Sequence, residues 1–218
     1  MELRSSTFQG KTFQFQCEPT DSSSWWTFDD EAAVRNELWE VREGDIVLDI
    51  GSGFGSYALP SLACGAALVH TWAVETNQCD LLEASLLANG WEGRCRVNRS
   101  GLLHRKGWYR WQDRSFSEEH QSGYVEVDSL DNVMVAYGLF HSGPRYLMKI
   151  DTEGAELEIL QGGELFLSRN RPTILLENHD FLRPGATGLV HRYLEVQGFR
   201  LVTNRRSAMC SHSLFAPD

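Results

Sequence analysis

Three glycines at alternate positions follow an acid near the end of a short apolar run. Within residues 46–57, Asp49 precedes Gly51, Gly53 and Gly55. Glycine lets the backbone turn tightly and lets a ligand approach the main chain closely. In α/β proteins, nucleotide-like cofactors bind at such a junction of strand, glycine loop and helix. The spacing therefore predicts a cofactor-binding loop.

The spacing of the glycines also separates classes of cofactor. Dinucleotide loops read G-x-G-x-x-G and phosphate loops read G-x-x-x-x-G-K-[ST], whereas this loop reads G-x-G-x-G and no lysine follows it. An acid before a compact G-x-G-x-G resembles the first motif of Rossmann-like methyltransferases that bind S-adenosylmethionine (SAM). The resemblance implies that Asp49 receives the ammonium of the methionine end. The loop residues expected to contact SAM are Gly51, Ser52, Gly53, Gly55 and Tyr57.

A second acid ends the next predicted strand. Glu75 follows Gly55 by 20 residues and closes a strand predicted over 69–75. An acid at this point of a βαβ unit accepts hydrogen bonds from ribose hydroxyls. We therefore predict that Glu75 and the adjacent Thr76 contact the adenosyl group. Residues after the third predicted strand, 95–98, are expected beside the adenine, namely Ser100 and Gly101.

Polar side chains also end two later strands. Asp151 and Glu153 follow one strand, and Glu177, Asn178 and His179 end the next. Because strand ends face the cofactor cleft in such folds, we expect these side chains to converge there. His179 has the unperturbed pKa best suited to a general base. The candidate catalytic residues are Asp151, Glu153, Glu177 and His179, and Asp151 is a candidate for binding the cofactor as well.

The same strand ends allow an alternative that uses a metal. Asp151 with Glu177 and Asn178 resembles the ligand arrangement of catechol-type methyltransferases, and oxygen ligands suit Mg²⁺. Acids are common at the strand ends of cofactor clefts. The mechanism without a metal is therefore the favoured one.

The elements that position these groups alternate between strand and helix. The pattern predicts a hairpin near residues 7–15, an amphipathic helix over 29–41 and a helix over 188–197. Residues 199–202 and 211–215 are expected to form an antiparallel pair of strands at one edge. Residues 124–131 read as a strand entering a helix that Asp128 or Ser129 caps. Trp25 and Trp26, together with residues 101–123, have no assigned role, and a lid over the site is one possibility.

Composition sets the remaining limits. A chain of 218 residues predicts one domain, with residues 1–42 as an extension and 43–218 as the core. The net charge of −10 disfavours binding to nucleic acid. The sequence has no run of about 18 apolar residues, so no membrane span is expected. Five scattered cysteines without a C-x-x-C pair and the lack of a signal-peptide core favour a reducing cytoplasm.

Four segments in this order resemble the FkbM-type family of SAM-dependent methyltransferases. Besides the glycine loop, they are Val74-Glu75 with Asn89-Gly90, V-D-S-L-D at 127–131, and K-I-D-T-E-G-A-E at 149–156 with Leu160-Gln161-Gly162. The segment R-P-T-I-L-L-E at 171–177 also fits the family. The resemblance covers about residues 29–203. It implies an α/β Rossmann-like fold: a mostly parallel seven-stranded sheet with helices on both faces and an antiparallel edge strand. It also implies SAM as cofactor and O-methylation of a hydroxyl on a small molecule, sugar or natural product.

Two departures and several alternatives accompany this resemblance. The family often has Ala-Asn where this chain has Ser52-Gly53, and proline where this chain has Thr76. Neither change removes a side chain that must perform chemistry. A peptide, protein or nitrogen acceptor remains open, as does a SAM-binding module without catalysis. A nicotinamide-dependent dehydrogenase is a more distant alternative.

Overall fold

A computed structural model describes residues 1–18, 31–112, 115–117, 124–140, 143–206 and 210–218. The chain forms two compact units, Met1–Arg99 and Ser100–Asp218. The organisation as one domain, with a boundary after residue 42, stays a prediction. Trp25, Trp26 and most of residues 113–123 lie outside the described residues.

The first unit contains a hairpin and a parallel βαβαβ segment. The hairpin joins β1 to β2 through Gln9 and Gly10, whose positive φ angles of 46° and 74° make a tight turn. Strands β3, β4 and β5 pair in parallel in that order. The elements are β1 Glu2–Phe8, β2 Lys11–Cys17, α1 Ala32–Leu38, β3 Ile46–Ile50, α2 Ala58–Ala63, β4 Leu68–Trp72, α3 Thr76–Asn89, a 3₁₀ turn Glu92–Arg94 and β5 Cys95–Asn98.

The sequence pattern predicted the helices and strands of this unit, but several predicted ranges are longer than the observed elements. The hairpin is confirmed. The amphipathic helix expected over 29–41 is α1, which is shorter. Strand β3 is buried along its whole length, as expected for a strand with neighbours and layers on both sides. Its residues Val47 and Leu48 are completely buried.

Among its described residues, the second unit contains four helices and strands that belong to two different sheets. Its elements are β6 Gly101–Leu103, β7 Gly107–Gln112, β8 Ser115–Ser117, β9 Tyr124–Ser129, α4 Leu130–Ala136, β10 Tyr146–Ile150, α5 Glu156–Gln161, α6 Glu164–Asn170, β11 Thr173–Asn178, α7 Ala186–Val196, β12 Phe199–Arg206 and β13 Ser211–Pro217. Ser129 caps α4, because its side chain accepts a hydrogen bond from the backbone N–H of Asn132.

The main sheet has seven strands and is mostly parallel, which confirms the predicted α/β Rossmann-like class. Within the first unit the strand order is β3-β4-β5, and within the second it is β12-β13-β11-β10. Strands β10 and β11 are parallel, whereas β13 is antiparallel to both β11 and β12. The expected antiparallel pair at the edge is therefore confirmed.

A separate four-stranded sheet in the second unit was only partly predicted. Its order is β6-β9-β7-β8. The alternating aromatic residues near 107–111 indicated β7, and the pattern near 124 indicated β9. The three-residue strands β6 and β8 are too short to carry a periodic signal. In the described part of the chain, no helix offers an apolar stretch that would cross a bilayer.

A buried histidine in the first unit makes stability depend on pH. His70 lies on β4 between Leu48 of β3 and Arg96 of β5, and it is 3% exposed. Burial, with a smaller contribution from the charge of Arg96, lowers the pKa of His70 from 6.5 to about 4. Between these values the unfolded chain binds more protons, so the free energy of unfolding falls as the pH falls.

We expect the wild-type protein to lose about 2 kcal/mol more than His70→Gln when the pH falls from about 7 to about 4.5. Urea denaturation of both proteins at the two pH values measures this difference. His104→Gln is the matched control, because His104 is exposed and its replacement should leave the wild-type profile in place. Parallel profiles for the wild type and His70→Gln would contradict the assignment to His70.

Candidate active site

The glycine loop of the first unit is fixed by backbone geometry that other residues rarely adopt. Gly51, Gly53 and Gly55 have φ angles of 79°, 51° and 89°. The N–H groups of Gly51 and Ser52 both donate to the carbonyl of Trp72, at 2.9 and 3.0 Å. These bonds tie the loop after β3 to the end of β4. The positive φ angles of the loop therefore favour glycine at all three positions.

The loop also offers a polar group that a ligand would satisfy. The Ser52 side chain is 3% exposed, and its hydroxyl makes no hydrogen bond with any residue that the structure describes. Beside it, a Cβ added to Gly53 would meet no atom within 4 Å. A buried hydroxyl without a partner is unfavourable. A polar ligand beside an open backbone fits this loop, as SAM requires.

A buried arginine supports the loop and was missed in the sequence. Arg35 of α1 is fully buried, and its Nη1 donates to the carbonyl of Ser56 at 2.9 Å. Its guanidinium also lies 5.9 Å from the ring centre of Tyr57. The sequence signal was a cation inside an amphipathic helix, which ordinarily faces solvent. Arg35 therefore fixes the backbone that follows the glycines.

Tyr57, predicted to contact the cofactor, has its side chain in the core. It is 1% exposed, and its ring packs edge-on against Trp39 with ring centres 5.4 Å apart. Its predicted contribution is therefore limited to the backbone. Asp49 is also buried, at 1% exposure, on β3.

The second predicted contact region differs from expectation in one respect. Strand β4 ends at Trp72, so Glu75 is not part of it. Glu75 is the exposed N-cap of α3, with φ −84° and ψ 114°, and Thr76 is the first helical residue. An acid here still follows the carboxyl end of the strand. Ser100 and Gly101 begin the second unit, with Gly101 opening β6, and their contact with adenine stays a prediction.

The second unit brings the four predicted catalytic residues together. His179 Nε2 lies 3.5 Å from Asp151 Oδ1, 3.6 Å from Glu153 Oε2 and 3.9 Å from Glu177 Oε1. The imidazole is 3% exposed, whereas the three carboxylates remain partly accessible. The predicted convergence of these side chains is present in the structure, and their roles remain to be tested.

Glu156 holds the imidazole and was not among the predicted catalytic residues. Its Oε1 lies 2.9 Å from His179 Nδ1, within hydrogen-bond distance. Burial lowers the pKa of His179, but the hydrogen bond and charge of Glu156 together with the charges of Glu177 and Glu153 outweigh it, so the pKa is raised above its ordinary value. In turn, burial raises the pKa of Glu156, but the hydrogen bond and charge of His179 together with backbone hydrogen bonds outweigh it, so the pKa is lowered. The pair is therefore a carboxylate–histidine dyad.

The loop before α5 is shaped around the Glu156 carboxylate. The N–H groups of Thr152 and Gly154 donate to its Oε1, at 3.3 and 3.0 Å. Glu153 and Gly154 have φ angles of 56° and 110°, and the first value is unusual for a residue with a side chain. These contacts give a physical reason for the spacing of the K-I-D-T-E-G-A-E segment.

Lys149 supplies a positive charge next to the carboxylates of Asp151 and Glu177. Its Nζ lies 3.3 Å from Asp151 Oδ2 and 3.5 Å from Glu177 Oε2, and its side chain is 1% exposed. Burial raises the pKa of Glu177, but the charge of Lys149 and nearby groups hold that pKa far below its usual range. A lysine in an otherwise apolar strand was the available sequence signal.

The ligand set of the magnesium alternative converges only in part, because Asp151 and Glu177 lie together with His179, with ligand atoms within 4.8 Å of one another, whereas Asn178 lies elsewhere. Asn178 donates to the hydroxyls of Ser211 and Ser213, at 3.0 and 2.9 Å. Asn178 is the last residue of β11 and follows Glu177 directly. Because side chains alternate along a strand, Asn178 lies on the face opposite to Glu177. The expectation that Asn178 joins the acids is therefore wrong. The ammonium of Lys149 contacts both Asp151 and Glu177.

Comparisons with known proteins give the family and the fold. The sequence profile of the FkbM methyltransferase domain matches residues 58–201, which include Glu75 and the histidine dyad but begin after the glycine loop. No curated protein sequence matches the chain significantly.

Solved structures resemble the chain at low sequence identity. The methyltransferase FkbM of Methylobacillus flagellatus KT has a TM-score of 0.60 at 16% identity, with 83% of this chain and 46% of that chain covered. A proposed SAM-dependent methyltransferase from Streptococcus mutans has a TM-score of 0.58 at 10% identity, covering 99% and 56%. A proposed O-methyltransferase from Klebsiella pneumoniae has a TM-score of 0.51 at 12% identity, covering 92% and 83%.

These structural similarities support the α/β Rossmann-like fold of this chain. This chain spans about half the length of the Methylobacillus and Streptococcus proteins it resembles. The profile match extends over well more than half of the 218 residues. On that basis, the chain belongs to the FkbM methyltransferase family.

Proposed function

We propose that the protein transfers a methyl group from SAM to a hydroxyl of a small molecule, sugar or natural product. The observation that carries the proposal is the His179–Glu156 dyad, which lies within the family match and is surrounded by three further carboxylates. An aliphatic hydroxyl is barely ionised at neutral pH, so its methylation benefits from a base that removes the proton.

The first unit is proposed to bind the cofactor. The glycine loop would admit SAM to the backbone, Ser52 would donate or accept through its unsatisfied hydroxyl, and Asp49 would balance the ammonium. Glu75 would accept hydrogen bonds from the ribose. When bound, SAM supplies a methyl group on a positively charged sulfur, which is the electrophile. The proposed cofactor residues of this unit are Asp49, Gly51, Ser52, Gly53, Gly55, Tyr57, Glu75 and Thr76.

The histidine of the second unit is proposed to move the proton. His179 Nε2 would take the proton of the acceptor hydroxyl, while Glu156 holds Nδ1 and stabilises the imidazolium that forms. Asp151 and Glu153, each about 3.5 Å from Nε2, would orient the acceptor. Glu177 would hold Asp151 and Lys149 in place. None of the five cysteines, all of them described, forms a disulfide, which supports the proposed cytoplasmic location.

Binding of the cofactor is tested by titration calorimetry with SAM and with its demethylated product. We expect Glu75→Ala to weaken binding of SAM by about 10-fold or more, because a carboxylate that accepts hydrogen bonds contributes about 1.5–3 kcal/mol. Glu83→Ala is the matched control, because Glu83 lies on the same helix and bonds Arg99 instead. Its affinity should equal that of the wild type.

Equal affinity in Glu75→Ala and wild type would place the ribose contact elsewhere. A folded wild-type sample that binds neither ligand would overturn the assignment of SAM to the glycine loop. Once binding is established, acceptors are screened by a mass gain of one methyl group. Mapping the methyl group onto oxygen or nitrogen then distinguishes a hydroxyl from an amine acceptor.

A further inference from the structure

Three side chains of different chemistry meet where β11 and β13 run side by side in the second unit. Glu177 and His212 are direct partners in the antiparallel register. Side chains that face each other in such a pair lie on the same side of the sheet. Cys210 immediately precedes β13, two residues before His212, and its thiol lies near the other two side chains. The arrangement gathers a carboxylate, an imidazole and a thiol.

The distances suit a single ion. One ligand atom from each of Glu177, Cys210 and His212 lies within 4.8 Å of the others. His212 Nε2 is already 3.3 Å from Glu177 Oε2. Zinc bonds of about 2.0 Å to nitrogen and about 2.3 Å to sulfur place tetrahedral ligand atoms roughly 3.3–3.8 Å apart. Two ligands therefore have this separation, and the third needs a shift of about 1 Å.

The histidine supplies an independent observation. His212 is 1% exposed, its Nδ1 makes no hydrogen bond with the described residues, and its Nε2 meets only the Glu177 carboxylate, at 3.3 Å and without good hydrogen-bond geometry. Buried polar atoms almost always have a partner, and an unsatisfied one costs about 1–3 kcal/mol. A metal ion bound by this imidazole would supply the missing interaction.

The donor set selects the kind of metal. Sulfur, nitrogen and a single carboxylate favour zinc over magnesium or calcium. A thiolate and a carboxylate together neutralise a divalent ion. Lys149 also contacts Glu177 at 3.5 Å, but it keeps Asp151 at 3.3 Å as a second partner. The Glu177 side chain is 15% exposed, which leaves a route for the ion.

We propose that Glu177, Cys210 and His212 bind a zinc-class divalent ion through three protein ligands and leave one coordination position open. When the ion binds, the thiol of Cys210 releases its proton to solvent and the thiolate sulfur coordinates the ion. Cys210 and His212 lie beyond residue 201, where the family match ends. The site shares Glu177 with the proposed catalytic cluster, but its zinc binding can be measured without methyl transfer.

The experiment uses the full chain, treated with a chelator and then desalted. Titration calorimetry with Zn²⁺ is expected to show one equivalent bound. Cys210→Ser and His212→Gln should each weaken the affinity by about 100-fold or more, because each removes a direct ligand. Cys64→Ser is the matched control, since Cys64 lies in the first unit and is also partly exposed. Its affinity should stay at the wild-type value.

Cobalt provides a second measurement on the wild-type protein. Co²⁺ bound by a thiolate gives a sulfur-to-metal charge-transfer band in the near ultraviolet, and this band should vanish in Cys210→Ser but persist in Cys64→Ser. Absence of stoichiometric Zn²⁺ binding, absence of the cobalt band in the wild type, or equal affinities in all variants would overturn the site. The wild-type readings decide the question even where a variant fails to fold, and none of them requires methyltransferase activity.

Discussion

His179→Gln is expected to lower kcat for methyl transfer by about 100-fold or more, while the Kd for SAM stays within about threefold of the wild-type value. Glutamine keeps a polar side chain of similar size but cannot take the proton of a hydroxyl. The imidazole is held by Glu156 at 2.9 Å and faces two carboxylates through its other nitrogen. Steady-state kinetics with an identified acceptor and calorimetry with SAM measure the two quantities.

Two companion variants separate the role of the base from a structural role. Glu156→Gln keeps the shape of the side chain and removes the charge that stabilises the imidazolium, so kcat should fall by about 10-fold or more. His104→Gln, at an exposed position in the same unit, should leave kcat unchanged. If Asp151→Asn abolishes transfer while His179→Gln does not, the base is Asp151. If His179→Gln acts only by abolishing SAM binding, the catalytic assignment is wrong.

Lys149→Met is expected to reduce the free energy of unfolding by about 3 kcal/mol or more. Methionine fills a similar volume, so packing is largely kept. Without the ammonium, the carboxylates of Asp151 and Glu177 lose a partner at 3.3 and 3.5 Å in a site where the lysine itself is 1% exposed. Urea denaturation at neutral pH measures the loss.

The control for this effect is a lysine with similar partners at the surface. Lys106 contacts Glu126 and Asp128, at 3.3 and 3.6 Å, but its side chain is 61% exposed. Because solvent screens exposed ion pairs, Lys106→Met should change stability little. Adding Glu177→Gln to Lys149→Met should recover part of the loss, since it removes one of the two carboxylates that lost the ammonium. Equal losses for the two lysine variants would show that burial of Lys149 does not control its contribution.

The spacing of residues along the chain was enough to predict most of the fold. Apolar runs that end in acids identified β3, β10 and β11, because strands buried on both sides must be continuously apolar. The boundaries of the strands and helices were predicted less accurately. The strand before Glu75 ends at Trp72, since Glu75 starts the next helix as its N-cap. A local pattern cannot distinguish an acid that ends a strand from one that caps the following helix.

The sequence by itself determined the family, the glycine loop and the acids that meet His179, because short motifs fix which residues follow each strand end. Tertiary structure decided what those residues contact. It buried Arg35 and Lys149, turned Asn178 to the other face of β11, and brought His212 opposite Glu177 from 35 residues further along the chain. These outcomes depend on the pairing of strands distant in sequence and on burial. Neither leaves a periodic signal in the residues themselves, because register and exposure are properties of the packed chain.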